Sequence, residues 1–275
     1  MELEQHLGAI RKQGLGVAAI SYDSVGALKS FANRQHITYA LLSDPDSKII
    51  RTYDIFNETV KPGTPAYGIP YPGVYVVDAR GMVVSKYFED DFKERVSTGD
   101  ILATQFGAPV DVARGGVEAK HLQITTAASN DVARPGLRIA LSLDIEMKPR
   151  MHVYAPGVQG YIPIDWRLDE GGPAAKRHAF EYPHSEMLRL EAIGETVPVY
   201  RGHIRIRREI TFGQEAVLNK LVSPTGEVIV KGSFRYQACD DRQCYVPEDA
   251  PLEWRFKYQG LDLQRAPLEF QHQPN

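Results

Sequence analysis

Cysteine is almost missing from this chain: 275 residues hold two, Cys239 and Cys244, and none precedes position 239. So few thiols exclude a disulfide framework and a cysteine-only metal site, which needs about four ligands. No run approaches the ~20 apolar residues of a membrane-spanning helix. Neither sign of charge dominates; the net charge of −3 argues against nucleic acid as a partner. The first residues, Met1-Glu2-Leu3-Glu4-Gln5-His6, lack the basic-then-apolar order of a signal peptide and read as the start of a helix. There is no internal repeat and no low-complexity segment. What remains is ordinary globular composition, 43% hydrophobic and 24% charged, at a length that suggests two domains.

The first part alternates helix and strand signals. Leu3, Leu7 and Ile10 share one helical face, and Gly14 and Gly16 end that helix. Residues 17–22 form an apolar run, the pattern of a strand buried on both faces. Asp23-Ser24 caps a helix to about His36 that should bury Val25, Leu28 and Phe31. Residues 40–42 read as a strand, and Asp44-Pro45-Asp46 starts a helix carrying Ile49, Ile50 and Tyr53. After a loop rich in Pro and Gly (61–73), residues 74–78 and 82–87 make a hairpin across Ala79-Arg80-Gly81. A helix over 98–106 closes the unit. This order predicts an α/β domain of thioredoxin type over residues 1–108.

Residues 109–120 read as a linker with Gly115-Gly116 as its flexible point, and a second domain is expected over 121–262. Its clearest strands are 137–146 and 204–212, where aliphatic residues alternate with polar ones. Many short strands separated by turn signals predict a β-sandwich. Trp166 and Trp254 are expected in its core, His178 and His184 on a solvated loop (176–185), and residues 263–275 as a polar tail.

The two cysteines lie between two strands of this domain. Val228, Val230, Phe234, Tyr236 and Ala238 alternate with polar residues, as do Leu252, Trp254, Phe256 and Tyr258. Cys239 and Cys244 therefore sit on a hairpin connection, the kind of place where function concentrates. A disulfide closing so short a loop stabilises the chain by only about 2 kcal/mol. A redox-active pair and a structural disulfide both stay open on these residues. A metal site is least provided for, since the spacing of His178, His184 and His203 does not complete one. Asp240, Asp241 and Glu248 oppose thiolate formation, with only Arg242 in favour. Such a pair suits being attacked by a partner better than attacking.

Two resemblances follow from particular residues. The run from Ile20 through Ser43-Asp44-Pro45-Asp46 to Tyr53, with Val76-Val77-Asp78-Ala79-Arg80-Gly81, resembles the peroxiredoxin (AhpC/TSA, redoxin) family. That resemblance implies a thioredoxin fold and a cis-proline at Pro72. The family's catalytic cysteine and a central strand come before or at the helix that here begins at Met1; both are missing. The implied explanation is a reading frame that starts upstream, and a peroxidase activity is not expected of this chain.

Tyr236-Gln237-Ala238-Cys239 and Cys244-Tyr245-Val246-Pro247-Glu248, with Met151-His152-Val153-Tyr154-Ala155-Pro156-Gly157 and Ile162-Pro163-Ile164-Asp165-Trp166, resemble the N-terminal periplasmic domain of the thiol:disulfide interchange protein DsbD. The cysteine spacing here is shorter than in that family. The resemblance implies an immunoglobulin-like sandwich in which Cys239 and Cys244 pass reducing equivalents to or from thioredoxin-fold or membrane thiol-disulfide partners. It also implies a periplasmic or other extracytoplasmic place, no cofactor and no metal, and a cap over the cysteines. By position that cap is Val199 and Tyr200, although Tyr200 fits an ordinary sheet-edge aromatic equally well. In a different class stands a non-catalytic immunoglobulin-like interaction module whose disulfide only pins the hairpin.

Overall fold

The computed structural model describes residues 2–89, 91–107, 112–190 and 194–271, the side chains of 113 and 114 excepted. They divide into one unit of residues 1–109 with 261–275, and a second of residues 110–260.

The first unit runs α1 (Glu2–Lys12), β1 (Ala18–Ser21), α2 (Val25–Gln35), β2 (Ala40–Ser43), α3 (Lys48–Thr52), β3 (Gly73–Val77), β4 (Val83–Phe88), β5 (Arg95–Val96) and α4 (Thr98–Phe106). Capping explains its helix boundaries. Ser24 Oγ accepts from Ala27 N to open α2, and His36, at φ 52°, closes it. Asp44 accepts from the N–H groups of Lys48 and Ile50, and Ser97 Oγ from that of Asp100. β1 pairs in parallel with β2, and β3 pairs antiparallel with β4, as separate two-stranded sheets. With one neighbour instead of two, β1 is only partly buried, contrary to the expectation for 17–22. Leu28 is buried as expected, but Val25 is 71% exposed because it starts α2 on its outer side. The Tyr71–Pro72 bond is trans, which removes the expected cis-proline.

The described part of the expected polar tail, residues 263–271, makes specific contacts within its unit; 272–275 lie outside the described residues. Ser24 Oγ donates to the carbonyl of Phe270 at 2.7 Å, and Arg34 Nη2 donates to the carbonyl of Gln264 at 3.2 Å. A Cβ at Gly26 would lie 2.4 Å from the Phe270 ring, so the absent side chain lets the ring sit on α2.

The second unit contains β6 (Val112–Glu118), β7 (Leu122–Ala128), β8 (Val132–Ala133), β9 (Leu137–Met147), β10 (His152–Tyr154), β11 (Asp165–Leu168), β12 (Ala174–Glu181), β13 (Glu186–Leu190), β14 (Glu195–Arg201), β15 (His203–Phe212), α5 (Glu215–Leu218), β16 (Glu227–Tyr236), β17 (Ala238–Cys239) and β18 (Glu248–Tyr258). One sheet has the order β12-β15-β9-β7-β6 and a second β11-β16-β18-β8. Their inner faces share one core. Leu141, Leu143 and Ile145 of β9 and Ile206 and Ile210 of β15 meet Trp166, Val230, Phe234 and Trp254. Trp166 and Trp254 stack at 5.5 Å, and Trp254 Nε1 donates to the Ala127 carbonyl at 3.0 Å. Two sheets, antiparallel apart from the short parallel edge strand β8, share a core and form a β-sandwich.

The expected linker is a strand over much of its length. Residues 112–118 form β6, while 108–111 lie outside the described residues. Gly115-Gly116 is a close-packed point, because a Cβ on Gly115 would stand 2.9 Å from Thr126 Oγ1. The supposed loop 176–185 is mostly β12 and the start of β13's approach; His178 is half-buried, with Nε2 3.0 Å from Thr211 Oγ1. His184 is exposed, as expected.

Candidate functional site: the cysteine hairpin

A third, small sheet of order β13-β14-β10-β17 carries the site. β16 and β18 pair through Tyr236 and Glu248, then the chain leaves that sheet. Ala238 and Cys239 pair instead with Val153 and His152 of β10. The hairpin thus bridges the sandwich and the small sheet.

Cys239 and Cys244 are disulfide-bonded, with Cα atoms 4.0 Å apart, and face each other as an antiparallel bridge. Asp240 organises the turn between them. Its Oδ1 accepts from Arg242 N at 2.7 Å and Gln243 N at 2.9 Å; its Oδ2 accepts from the Tyr245 hydroxyl at 2.8 Å. These donors, the Arg242 N–H foremost, hold the Asp240 carboxyl below its ordinary pKa. Its carboxylate, still charged, also builds the loop's own hydrogen bonds. Glu248 is engaged as well, accepting from the Tyr236 hydroxyl at 2.9 Å. Two of the three carboxylates expected to oppose a thiolate, Asp240 and Glu248, thus also hold the hairpin together.

The sulfurs are unequal. Cys239 is 1% exposed, in a cluster with Tyr154, Val197 and Val199, whereas Cys244 is exposed. Tyr154 was not anticipated as a site residue. Its hydroxyl lies 3.6 Å from Cys239 Sγ and 3.5 Å from Cys244 Sγ. Burial raises its pKa, so it keeps its proton. Tyr161 packs on Tyr154 at 4.5 Å between centroids and donates to Glu195 at 2.7 Å. That hydrogen bond pushes its own pKa up to about 12.

Of the two residues expected to cap the pair, Val199 packs in the cluster with Cys239. Tyr200 does not. As the next residue in a strand it points to the opposite face, into the sandwich core, and donates to the Pro183 carbonyl at 3.1 Å. Pro72 belongs to the first unit, and His178, His184 and His203 form no metal cluster; none is found among the described residues.

At the hairpin's base His121 stacks on Tyr245 at 4.3 Å, with Nε2 3.6 Å from Glu248. On β10, His152 is 2% exposed and neither ring nitrogen has a hydrogen-bond partner among the described residues. Burial lowers the pKa of both histidines.

Residues 118–253, the segment that holds this hairpin, match the family described as thiol:disulfide interchange protein DsbD, N-terminal. Residues 1–86 match the AhpC/TSA family. The chain joins a peroxiredoxin-like segment to a DsbD N-terminal-like domain. Two Mycobacterium tuberculosis proteins named as peroxiredoxins, from different strains, are each 31% identical over 83 residues. The match takes in 30% of this chain and 52% of each relative, so the chain spans about half the length of the curated relatives it matches. The peroxiredoxin-like segment contains no cysteine. Among solved structures, the chain is similar to the N-terminal periplasmic domain of ScsB from Proteus mirabilis (TM-score 0.37, 12% identity, 55% of this chain and 52% of that one). It is also similar to the reduced DsbD N-terminal domain of Neisseria meningitidis (TM-score 0.28, 15% identity, 55% and 90%). No described helix is long and apolar enough to cross a membrane.

Proposed function

We propose that the DsbD N-terminal-like domain is a thiol:disulfide exchange carrier acting through Cys239 and Cys244. The observation that carries this reading is the asymmetry of the disulfide: Cys244 is an exposed residue, whereas Cys239 is buried beside a tyrosine hydroxyl. A partner thiolate attacks the exposed Cys244 sulfur, and the S–S bond breaks. Cys239 leaves with the electron pair, and the Tyr154 hydroxyl donates to the new thiolate. A second thiol of the partner then attacks the partner's own sulfur in the mixed disulfide and releases Cys244. Two electrons have moved, leaving this chain reduced and the partner oxidised; the same steps run backwards. The chemistry fits a thioredoxin-fold or membrane dithiol partner and an extracytoplasmic place.

A structural disulfide is the competing reading, and the loop itself weighs against it. The turn is already closed by Asp240, by Tyr245 N donating to the Ala238 carbonyl at 2.9 Å, and by Gln237 Nε2 donating to the Tyr245 carbonyl at 3.0 Å. A bond that adds about 2 kcal/mol to so well-held a turn has little structural task. Glutathione-buffer titration with thiol alkylation decides between them. A carrier has a potential above about −300 mV; a pair that stays oxidised below that value is structural.

A further inference from the structure

We propose that His152 is the proton partner of Cys239, taking up a proton as the disulfide opens and giving it back as it closes. The inference deepens the carrier reading and rests on it for its purpose, but its geometry stands alone. His152 and Cys239 are directly opposed in an antiparallel strand pair, so their side chains share one face. Opposed Cβ atoms in such a pair lie about 4.5–5.5 Å apart. Two residues further along β10, Tyr154 is on that same face; its ring meets the imidazole edge-on at 5.7 Å and its hydroxyl reaches Cys239. The imidazole is thus packed on one side by the tyrosine that contacts both sulfurs and is aligned with the buried cysteine.

Its condition in the disulfide form is unusual. A buried polar nitrogen without a partner is destabilising, and His152 has two among the described residues. A disulfide sulfur offers it no proton and little acceptor strength. Reduction changes that. Breaking the S–S bond leaves Cys239 with a lone pair and a negative charge at a site 1% exposed to water. A charge there needs a proton or a donor. The charged groups around His152 keep it receptive. Arg201, opposed to it on β14, disfavours protonation; Asp240 and Asp241 on the loop and Glu186 on β13 favour it, and burial leaves the ring neutral while the disulfide is intact. The new thiolate adds one more negative charge, close by and equally buried. The imidazole then binds a proton from solvent and presents N–H to the sulfur; on reoxidation the thiolate spends its lone pair on the S–S bond and the proton leaves.

The test reads the protons directly. Nitrogen NMR of His152 in the unsubstituted protein, oxidised and then reduced, should show its titration midpoint rising by at least about one pH unit, a tenfold change in proton affinity. In a Cys244→Ser protein, ultraviolet titration of the remaining Cys239 thiolate gives the reciprocal reading. His152→Gln and His152→Phe should each raise the thiol's midpoint by about one unit, in proteins whose near-ultraviolet dichroism is native. A histidine midpoint indifferent to the redox state overturns the proposal, as does a thiol midpoint indifferent to both substitutions. A redox-linked histidine in a protein whose disulfide yields only to strong chemical reductants, and not to the glutathione buffers, keeps the proton coupling and sinks the carrier.

Discussion

Tyr154 holds its hydroxyl 3.6 Å from Sγ of Cys239 while remaining 3.5 Å from Sγ of Cys244. One donor therefore serves both sulfurs, and it serves whichever leaves as thiolate. Hydrogen bonds to charged groups contribute about 1.5–3 kcal/mol. Tyr154→Phe keeps the ring that packs on Tyr161 and His152 but removes the hydroxyl. The expected outcome is reduction by excess dithiothreitol slowed about tenfold or more, with the fold intact. An unchanged rate would show that the hydroxyl plays no part in sulfur departure.

The same geometry separates the real cover of Cys239 from the expected one. Tyr200 lies in the sandwich core and Tyr154 in the cysteine cluster. In reduced protein carrying only Cys239, Tyr154→Ala should accelerate alkylation several-fold. Tyr200→Phe, which loses only the hydrogen bond to Pro183, should cost about 1 kcal/mol of stability and leave alkylation alone. Equal acceleration by both substitutions would restore Tyr200 as a cap.

How much of this was visible in the sequence depends on element length. The alternation through Val228, Phe234 and Tyr236, and through Leu252, Trp254 and Phe256, spans enough residues to reveal β16, β18 and the hairpin between them. Tyr154 was hidden because β10 has three residues, too few for any period to show. Tyr200 misled for a related reason: which of two adjacent strand residues faces the cysteines depends on register, and register comes from pairing. Gly115-Gly116 suggested flexibility, where the strand packs against Thr126 and only a missing side chain fits. Asp240 looked like a charge beside the sulfurs; that its carboxylate also builds the turn, accepting from two of its N–H groups, needed the fold to show.

Two buried histidines predict an acid-sensitive fold. Burial lowers the pKa of His121 against the opposing pull of Glu248 and Asp240, with Lys120 and Lys148 adding to the fall. His152 is lowered by burial and Arg201. Each accepts a proton less readily folded than unfolded, so below the unfolded value of about 6.5 the unfolded chain binds more protons. Stability from these groups is present above that pH and is lost as pH falls toward the lower folded values, by at most about 1.4 kcal/mol per unit for each. Carboxylates held low, such as Asp240, lose their contribution only below about pH 4, outside this window. The urea midpoint should therefore drop between pH 7.5 and 5.5, conditions chosen about one unit either side of 6.5. His121→Asn should flatten part of that slope. A midpoint constant across the window would mean that both rings are protonated without cost.

The two units should differ sharply in local stability. In the second unit the sandwich faces share one continuous core, and β9 is paired on both sides, by β7 and by β15. In the first unit β1 pairs with β2 and β3 with β4, and no sheet joins these two pairs among the described residues. A two-stranded sheet is marginal unless it packs on something else. Here β1 and β4 have no buried residue, and Val83 and Val84 are 46% and 52% exposed. The helices do better, with Ile50 of α3 at 0% and Leu102 of α4 at 2%, so the unit has a core, though a small one. Opening free energies follow buried apolar contact and backbone pairing. Hydrogen exchange should accordingly be fast for β1 to β4 and slow by orders of magnitude for β9, β15, β16 and β18. Thermal unfolding should show two transitions, the lower one leaving the disulfide hairpin intact and still reducible by dithiothreitol at its native rate. Uniform protection across both units, or one transition that removes both together, would show that the first unit's stability is not set by its own sheet pairs.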